Sequence, residues 1–388
     1  MAAVAPRLRS RVDHALLYLT LALVVIGVVM VFDAGYARAV DAGSLRHDVF
    51  YFLKKQAQFA VLGLVGMFLA MRADYTRLRT CAPVFMALAI VLLLAVWLPV
   101  IGIRDNGSAR WIGFGALRLQ PSELAKLAII IYLAAILSNR NYPIRSFGNG
   151  VLAPLLVIGL TAVLIEREPD LGTATVTFLA GLSMLALAGA RAKHLGAVLA
   201  VVLLYAAVST LFHSYRMDRL RVWLSPEKHY TTGGYQLARG LVAVGSGGIS
   251  GLGLGAGREK FYLPAANTDF VFATVAEETG LIGAVTVLML LGLLVWRACH
   301  IARHARDPFG AYLAAGVAVL IAWQSIINVA VVTNSIPATG VPLPFVSYGG
   351  SSLVVLMVSI GILLSVAQSA ELPQRARFRV RDRGKTSR

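Results

Sequence analysis

Charged residues are scarce in this sequence, and acidic residues are the scarcest. Asp and Glu together number 19 among 388 residues, and all charged residues make up 14% of the chain. A soluble domain carries about 25% charged residues. The chain therefore lacks the polar surface that a water-soluble protein of this length needs, which excludes a soluble enzyme or binding module.

Cysteine is almost absent as well, since the chain has only Cys81 and Cys299. Two thiols without paired histidines do not make a zinc site. The topology derived below places both at a cytoplasmic face, where disulfides are rare. We interpret both as structural residues. No cluster of ligands with metal spacing appears, and no cofactor is evident.

Long apolar runs are what the sequence has instead. Hydrophobic residues reach 58% and the mean hydropathy is +0.73. Ten runs approach the roughly 20 residues that a bilayer requires. They are approximately 14–32, 53–71, 82–103, 121–138, 150–166, 171–190, 194–212, 270–296, 310–333 and 346–370. We predict an all-α integral membrane protein, a single domain over 1–388 with ten transmembrane helices.

A formal charge of +17 would suit a protein that binds nucleic acid, but the positions of the basic residues indicate a membrane topology. The positive-inside rule orients the bundle with both termini in the cytoplasm, including segment 1–13 and a basic tail at 371–388. The largest extracytoplasmic loop then spans 213–269, between helices 7 and 8. The basic residues on the inner side are Arg7, Arg9, Arg11, Arg72, Arg77, Arg79, Arg140, Arg145, Arg191, Lys193, Arg297, Arg303, Arg306 and seven in the tail. We expect no nucleic-acid partner.

Polar chemistry collects in the outward segments, and the longest of them is rich in glycine. Ten glycines lie between Gly233 and Gly257. Glycine lets backbone approach a ligand closely, and freed N–H groups can cradle phosphate. The same residues can equally pack a short or re-entrant helix against its neighbours. Composition alone leaves both interpretations open.

Five motifs in this chain, in the same order, resemble those of the SEDS family (shape, elongation, division and sporulation proteins), the FtsW and RodA group. They run from about Arg110 to Leu353 and read "ARWIGFGALRLQPSELAK", "EPDLGTA", "GSGGISGLGLG", "YLPAANTDFVFATVAEETGLIGA" and "IPATGVPLPFVSYGGSSL". The resemblance implies a peptidoglycan glycosyltransferase that polymerises lipid II. It also implies the cytoplasmic (inner) membrane, with the active site on the extracytoplasmic face.

Such a reaction needs a base near the acceptor hydroxyl and cations or N–H dipoles near the diphosphate of the donor. Asp269 lies where the long outer loop meets the eighth predicted helix. From the residues alone, it is either a functional acid at membrane depth or a helix N-cap. The resemblance carries the essential aspartate of the family onto Asp269, which we predict to be the general base.

Several other residues are predicted to contact substrate. Arg110 is placed to clamp diphosphate in bidentate fashion, and Trp111 either stacks on a sugar or anchors the interface. Asp170 resembles a residue that the family needs for acceptor placement or arginine pairing. The predicted substrate contacts are Arg110, Trp111, Arg118, Asp170, Arg258, Lys260, Asn267, Thr268, Ser347 and Ser351.

Four further ionisable residues are predicted to be structural. Glu123 and Lys126 share a helix face, which favours an internal ion pair. Glu277 and Glu278 lie about 12 Å deeper than Asp269 by the helical rise, too deep for a sugar at the surface. We expect one of the two glutamates to pair with a cation that the sequence does not identify.

One position departs from the family pattern. Asn267 stands two residues before Asp269, where the family usually has histidine. An amide does not titrate as an imidazole does, so we expect that a proton relay through this position is not essential here.

A divalent ion that bridges the diphosphate and Asp269 is left open as an alternative.

Two other functions remain as alternatives, a lipid II flippase and a non-catalytic division scaffold. A flippase predicts polar residues along a path between the two faces, whereas the inward loops here offer only basic residues. The resemblance implies a class B penicillin-binding protein as transpeptidase partner, together with divisome or elongasome membrane proteins. "KFYLP" and the absence of a long C-terminal extension favour a septal or sporulation role over a lateral-wall role.

Overall fold

The structure is a computed structural model that describes residues 12–41, 48–98, 101–105, 108–114, 117–212 and 214–370. The predicted cytoplasmic segment 1–13 lies almost entirely outside the described residues. The predicted tail 371–388 lies wholly outside them.

Twelve α-helices form within the described residues, and the apolar runs account for ten of them. In chain order, α1 to α12 are His14–Asp41, Tyr51–Arg72, Thr76–Ala95, Pro121–Leu137, Leu152–Arg167, Leu171–Leu187, Ala192–Phe212, Ser214–Leu224, Tyr235–Ser246, Val271–His304, Pro308–Val332 and Gly350–Ala370.

Eight helices in the described part of the chain are long and apolar enough to cross a membrane, and the protein is a multi-pass membrane protein. These eight are α1, α2, α3, α5 with its preceding turn, α7, α10, α11 and α12. Helices α4 and α6 have 17 residues each, which is about 25 Å of helix. Each of the ten predicted runs corresponds to one helix.

The predicted bounds of the third helix are wrong. The run 82–103 was expected to be helical, but α3 starts at Thr76 and ends at Ala95. Pro99 disfavours helical backbone at the residue before it, which explains the early end. The chain then enters an extended segment.

The protein is mostly α-helical, in agreement with the predicted all-α membrane fold, and a small antiparallel sheet adds to the helices. Strands β1, β2 and β3 span Gly102–Asp105, Ser108–Phe114 and Leu117–Leu119, in the order β1-β2-β3. Ile103 pairs with Trp111, and Ile112 pairs with Leu119. Aromatic and β-branched side chains favour such strands. The sheet includes Arg110 and ends directly before α4.

The interior of the bundle is built from α4, α11 and α12, whose residues are mostly buried. Helix α2 packs along α12, where Gly63 leaves room for the side chain of Met357. Helix α7 differs from the rest, because Ser209 is its only buried residue. Nearly the whole apolar surface of α7 therefore faces outwards.

The predicted loop 213–269 contains two of the twelve helices. Helix α8 is tied to the segment after α11, since Trp223 Nε1 donates to the Asn334 carbonyl at 3.0 Å. Arg219 Nη1 donates to the Ala338 carbonyl at 2.8 Å. Helix α9 buries one face through Leu237 and Ala243. The long segment is therefore a packed part of the fold.

Helix α10 is kinked at Gly280, and the glycine-rich segment packs into the kink. Gly280 has φ 65° and ψ −166°, which only glycine adopts readily. The break frees the carbonyls of Glu277 and Glu278, which accept from the backbone N–H groups of Leu252 and Gly253 at 3.0 Å each. These contacts favour the packing interpretation of the glycines over a phosphate cradle.

Candidate active site

One end of the bundle gathers several of the ionisable residues that the sequence analysis singled out. We call it the polar end, and it consists of residues 102–105, 108–114, 117–119, 168–170, 265–270 and 333–349. Helices α6, α10 and α12 begin at this end, and α5 and α11 finish there. The connectivity therefore brings together segments that lie more than 200 residues apart in the chain.

Asp269 lies in the last turn before α10 and is held by its backbone. Asn328 on α11 donates from Nδ2 to the Asp269 carbonyl at 2.8 Å and to the Val341 carbonyl at 2.7 Å. The Asp269 carboxylate faces Gly340, where a Cβ would lie 3.4 Å from Oδ2. Asn328 thus fixes Asp269 against the segment that follows α11.

The surroundings of Asp269 suit a carboxylate that takes up a proton near neutral pH. Burial, and then the negative charge of Asp170, raise the pKa of Asp269 to about 6, while Arg110 and Arg219 oppose the rise. A base works best when its pKa lies near the operating pH. The N-cap alternative receives no support, because α10 begins after Phe270 without a side-chain cap.

Asp170 is buried at the start of α6, with an exposed fraction of 4%. Its Oδ1 accepts the Thr173 N–H at 3.1 Å, and its Oδ2 accepts Gln120 Nε2 at 3.2 Å. Burial raises the pKa of Asp170, while the charge of Arg110 acts against it. Asp170 therefore caps α6 and also raises the pKa of Asp269 through its negative charge.

Arg110 on β2 supplies positive charge that acts on the acids of the polar end. Its Nε donates to the Glu168 carbonyl at 3.0 Å, and its Nη2 donates to the Pro169 carbonyl. These backbone contacts hold the guanidinium beside the turn between α5 and α6. Trp111, the next residue on the strand, is half-buried.

Glu168 is a member of the polar end that the sequence analysis did not select. Its side chain is fully buried, and neither carboxyl oxygen has a hydrogen-bond partner among the described residues. Burial, and then the charge of Asp170, raise the pKa of Glu168 to about 9, with Arg110 opposing. Glu168 is therefore neutral at pH 7. The signal in the sequence was "EREPD", three acids within five residues beside an apolar run.

Glu168→Gln is expected to stabilise the protein increasingly as pH rises from about 5 to 9. The folded-state pKa of about 9 lies above the unfolded value, so the wild type keeps full stability at low pH. As pH rises from about 5 to 9, the carboxyl ionises in the unfolded chain but keeps its proton in the folded one, and stability is lost. The amide has no such ionisation. Thermal unfolding of both proteins in the same detergent at several pH values measures the difference. The matched control is Glu227→Gln, at an exposed carboxylate, which should stay close to wild type throughout. A Glu168→Gln difference that does not change with pH would contradict the assignment.

Asn267, Thr268, Ser347 and Ser351 connect the polar end mainly through backbone. Ser347 Oγ donates to the Thr268 carbonyl at 2.6 Å, and the Tyr348 N–H donates to the Asn267 carbonyl at 2.8 Å. Ser351 Oγ donates to the Arg118 carbonyl at 3.2 Å. The hydroxyls of Ser347 and Ser351, which were predicted to contact substrate, are thus already hydrogen-bonded within the protein.

The amide of Asn267 is different. Its side chain is 1% exposed, and its Nδ2 has no hydrogen-bond partner among the described residues. A buried donor without a partner carries a desolvation cost of about 1–3 kcal/mol. Asn267 therefore holds an unsatisfied donor two residues from Asp269.

Lys260 is placed differently from the prediction that it contacts diphosphate. It is buried, and its Nζ lies 2.7 Å from Glu278 Oε1 and 2.6 Å from Asp33 Oδ1 on α1. Lys260 is thus the cation that the sequence did not identify. A buried lysine between two carboxylates is not available to a ligand, whereas Arg258 is exposed.

Glu277 and Glu278 anchor the chain that leads to Asp269. Glu277 Oε1 accepts the N–H groups of Arg258 and Glu259 at 2.7 and 3.0 Å. Glu278 accepts the N–H groups of Gly255 and Gly257 at 3.0 and 3.1 Å. The two glutamates thereby fix the position of the segment that enters the polar end.

Glu123 and Lys126 form a buried ion pair on α4, with 2.8 Å between Lys126 Nζ and Glu123 Oε1. Lys126 Nζ also donates to Gln324 Oε1 on α11 at 3.2 Å. Glu123 lies in the first turn of α4, three residues after Gln120, which contacts Asp170. Within the described ranges, no group of three or more His, Cys, Asp or Glu side chains is arranged to hold a metal ion.

The polar end therefore holds a half-buried carboxylate with a raised pKa beside an arginine and a second carboxylate. This arrangement suits proton abstraction from a hydroxyl group, with positive charge near a developing anion. Most of the predicted site residues meet here. Lys260, Glu277 and Glu278 lie around the α10 kink instead.

Comparison with known proteins adds a family and relatives. The family described as cell cycle protein, FtsW/RodA/SpoVE, matches residues 13–372. Stage V sporulation protein E of Bacillus subtilis is 41% identical over 358 residues, covering 92% of this chain and 97% of the relative. A protein of Geobacter metallireducens named probable peptidoglycan glycosyltransferase FtsW is 38% identical, covering 92% and 95%.

Solved structures show the same fold. A chain from a study of the structural coordination of polymerization and crosslinking by a peptidoglycan synthase complex matches with a TM-score of 0.77 and 28% identity, covering 93% of this chain and 99% of that one. The rod shape determining protein RodA of Thermus thermophilus matches with a TM-score of 0.67 and 27% identity, covering 93% and 98%.

Proposed function

Because this chain belongs to the FtsW/RodA/SpoVE family of cell cycle proteins, we propose that it is a peptidoglycan glycosyltransferase that polymerises lipid II into glycan strands. Relatives with this activity in their names match 92% of the chain. The observation that carries the proposal is the position of Asp269, held by Asn328 at the start of α10 with a pKa of about 6.

Asp269 acts as the general base in this proposal. The acceptor hydroxyl of one sugar attacks the anomeric carbon of the next, and its proton passes to the Asp269 carboxylate. The bond from the anomeric carbon to the polyprenyl diphosphate breaks, and the diphosphate leaves with the electron pair. A carboxylate whose pKa burial and Asp170 raise to about 6 is ionised at pH 7, yet basic enough to share the proton in the transition state.

Positive charge around Asp269 stabilises the diphosphate leaving group in this proposal. Arg110 lies close enough to lower the pKa values of Asp170 and Asp269. A guanidinium is the side chain best suited to a diphosphate, because it donates two parallel hydrogen bonds. Arg258 is exposed beside the segment that leads to Asp269 and is a second candidate. Asn267 offers its unpaired Nδ2 donor to a sugar hydroxyl.

The membrane arrangement follows from the same proposal. Helices α4 and α6 complete ten crossings, both termini are cytoplasmic, and the polar end lies at the extracytoplasmic face of the inner membrane. The distribution of basic residues supports this orientation. A lipid-linked substrate in the outer leaflet then meets Asp269 without entering the bundle.

A transpeptidase of the class B penicillin-binding protein type is the proposed partner. The similarity to a chain in a peptidoglycan synthase complex supports it. The relatives named FtsW and stage V sporulation protein E favour membership in a division or sporulation assembly over lateral-wall growth.

Polymerisation is expected to depend on pH through Asp269. The rate should rise about tenfold per pH unit below pH 6 and level off above it, because only the ionised carboxylate accepts a proton. Asp170→Asn removes a charge that raises the pKa of Asp269, so the pH at which the rate levels off should be lower in this variant. The shape of the profile, measured with purified protein and lipid II, is the test. A rate that is flat from pH 5 to pH 7 would contradict the assignment.

Purified protein reconstituted in liposomes with lipid II, with and without a cognate transpeptidase, tests the function itself. Glycan strands resolved by gel electrophoresis are the expected product. Movement of labelled lipid II across the bilayer without strands would indicate a flippase. Neither product under any condition would indicate a scaffold, and either outcome would overturn the proposal.

A further inference from the structure

A cavity of about 640 Å³ lies at the opposite end of the bundle from Asp269. Its lining comes from the connection between α4 and α5 and from the start of α7, including Tyr142, Arg145, Phe147, Arg191 and His194. We call it the basic cavity. Helix α4 leads away from the polar end to this region, and α5 returns from it. The candidate active site does not use it.

Positive charge without any acid characterises the basic cavity. None of its lining residues is Asp or Glu. The side chains of Arg145 and Arg191 make no ion pair or hydrogen bond with any residue that the structure describes. His194 Nδ1 is buried and has no hydrogen-bond partner within the same described ranges. Arg145, Arg191 and His194 thus share one concave surface, and neither the two guanidinium groups nor His194 Nδ1 has a protein partner among the described residues.

The wall of the basic cavity is fixed by local contacts. Tyr142 donates its hydroxyl to the Gly150 carbonyl at 2.9 Å. The N–H groups of Gly150 and Val151 donate to the Ser146 carbonyl at 3.1 Å each. The rings of Phe147 and His194 meet edge to face with centroids 5.4 Å apart. The connection before α5 is thereby joined to the start of α7.

The start of α7 adds a further attraction for an anion. Helix α7 has 21 residues and begins at Ala192, between Arg191 and His194. The first N–H groups of a helix lack partners within the helix, and the helix dipole places partial positive charge there. The arginines and the helix start therefore favour the same kind of ligand, one that carries negative charge.

Exposed apolar residues follow the lining of the basic cavity along both α5 and α7. Leu152 and Leu156 on α5 are 38% and 63% exposed, and Leu199 and Leu203 on α7 are 38% and 60% exposed. Each pair is spaced by four residues, so its members lie on one face of the helix. A ligand with a charged head and a long apolar tail matches both the cavity and these faces, whereas a small free anion matches only the cavity.

We propose that the basic cavity binds the phosphodiester headgroup of an anionic phospholipid, with its acyl chains along the exposed leucines of α5 and α7. Basic pockets between transmembrane helices on a cytoplasmic side are suited to such lipids. Arg145 and Arg191 would donate hydrogen bonds to the phosphodiester oxygens, and the unpaired His194 Nδ1 would gain a hydrogen-bond partner. The site is independent of the glycosyltransferase chemistry, because it lies at the other end of the helices.

Native mass spectrometry of the full chain in detergent, titrated with defined lipids, tests the proposal. Phosphatidylglycerol should bind more tightly than phosphatidylcholine of the same chain length. Each arginine is expected to contribute about fivefold in affinity, so that Arg145→Ala/Arg191→Ala loses about 25-fold for phosphatidylglycerol. Millimolar inorganic phosphate should not displace the lipid.

The matched control is Arg77→Ala/Arg79→Ala, two exposed arginines at the start of α3 on the same end of the bundle. Its phosphatidylglycerol affinity should remain within about twofold of wild type. Equal binding of the two lipids, or an equal loss in the control variant, would overturn the proposal. Full displacement by inorganic phosphate would also overturn it and would indicate a site for free anions.

A second measurement uses only the wild type and so does not depend on the folding of a variant. Phosphatidylglycerol with a photoreactive group near its headgroup should crosslink to peptides that contain residues 142–147 or 191–199. Crosslinks spread evenly over the basic loops, including the start of α3, would contradict a specific site.

Discussion

Asp269→Asn is expected to reduce the rate of glycan polymerisation by about 10²–10⁴-fold, the usual contribution of a general base. The amide has nearly the same shape as the carboxylate, so the hydrogen bond from Asn328 to the Asp269 carbonyl is retained. Only the ability to accept a proton is removed. The measurement is strand formation from lipid II by the reconstituted variant, together with its thermal unfolding midpoint.

Asp48→Asn makes the same chemical change at a carboxylate that pairs with the exposed Lys54, and it should keep wild-type activity. The binding of lipid II to Asp269→Asn should change little, because the loss falls on the transition state rather than on the ground state. If Asp269→Asn polymerises at the rate of Asp48→Asn, Asp269 is not the base.

Gly280→Ala is expected to destabilise the protein by roughly 3 kcal/mol or more and to lower polymerisation strongly. The φ of 65° and ψ of −166° at Gly280 disfavour any residue with a Cβ, at a cost of about 1–3 kcal/mol. A Cβ there would also lie 2.3 Å from the Gly251 nitrogen. The glycine-rich segment would have to leave the kink, and the chain that leads to Asp269 would lose its anchor.

The same helix provides the control. Gly292 also lies in α10, but a Cβ at this position would meet no atom within 4 Å. Gly292→Ala should therefore leave activity unchanged, and alanine is the better helix former by up to about 1 kcal/mol. Thermal unfolding and activity of both variants separate the effect of the kink from a general effect of glycine replacement. Equal behaviour of the two variants would show that the kink is not needed.

The transmembrane helices were predictable because one physical quantity, the length of an apolar run, determines them. The sheet was not, because its strands have three to seven residues and are interrupted by glycines that usually indicate loops. The bounds of α1 were also underestimated. The apolar run 14–32 stops before Asp33, but α1 continues to Asp41, and the charge of Asp33 is paired with Lys260.

The site was predictable only in part. The motifs point to Asp269, Asp170 and Arg110, and the fold brings these three residues to one end. The partners of Lys260 could not be predicted, because Asp33 is 227 residues away in sequence and pairing over such a distance leaves no local pattern. Asn328 carried a weak signal as an amide in the apolar run 310–333. Glu168 could not be singled out, because its raised pKa depends on a burial that the local sequence does not show.

The packing of α2 against α12 has a consequence for how the chain is made. Gln56 on α2 is fully buried and donates to the Ser347 carbonyl at 3.4 Å, but α12 leaves the ribosome about 280 residues after α2. At bacterial elongation rates this delay is roughly 15 to 60 s. During that time the newly inserted α2 has its amide in the bilayer without its final neighbour. Catalytic competence therefore arises only at the end of synthesis, and a chain released early cannot begin to build a glycan strand.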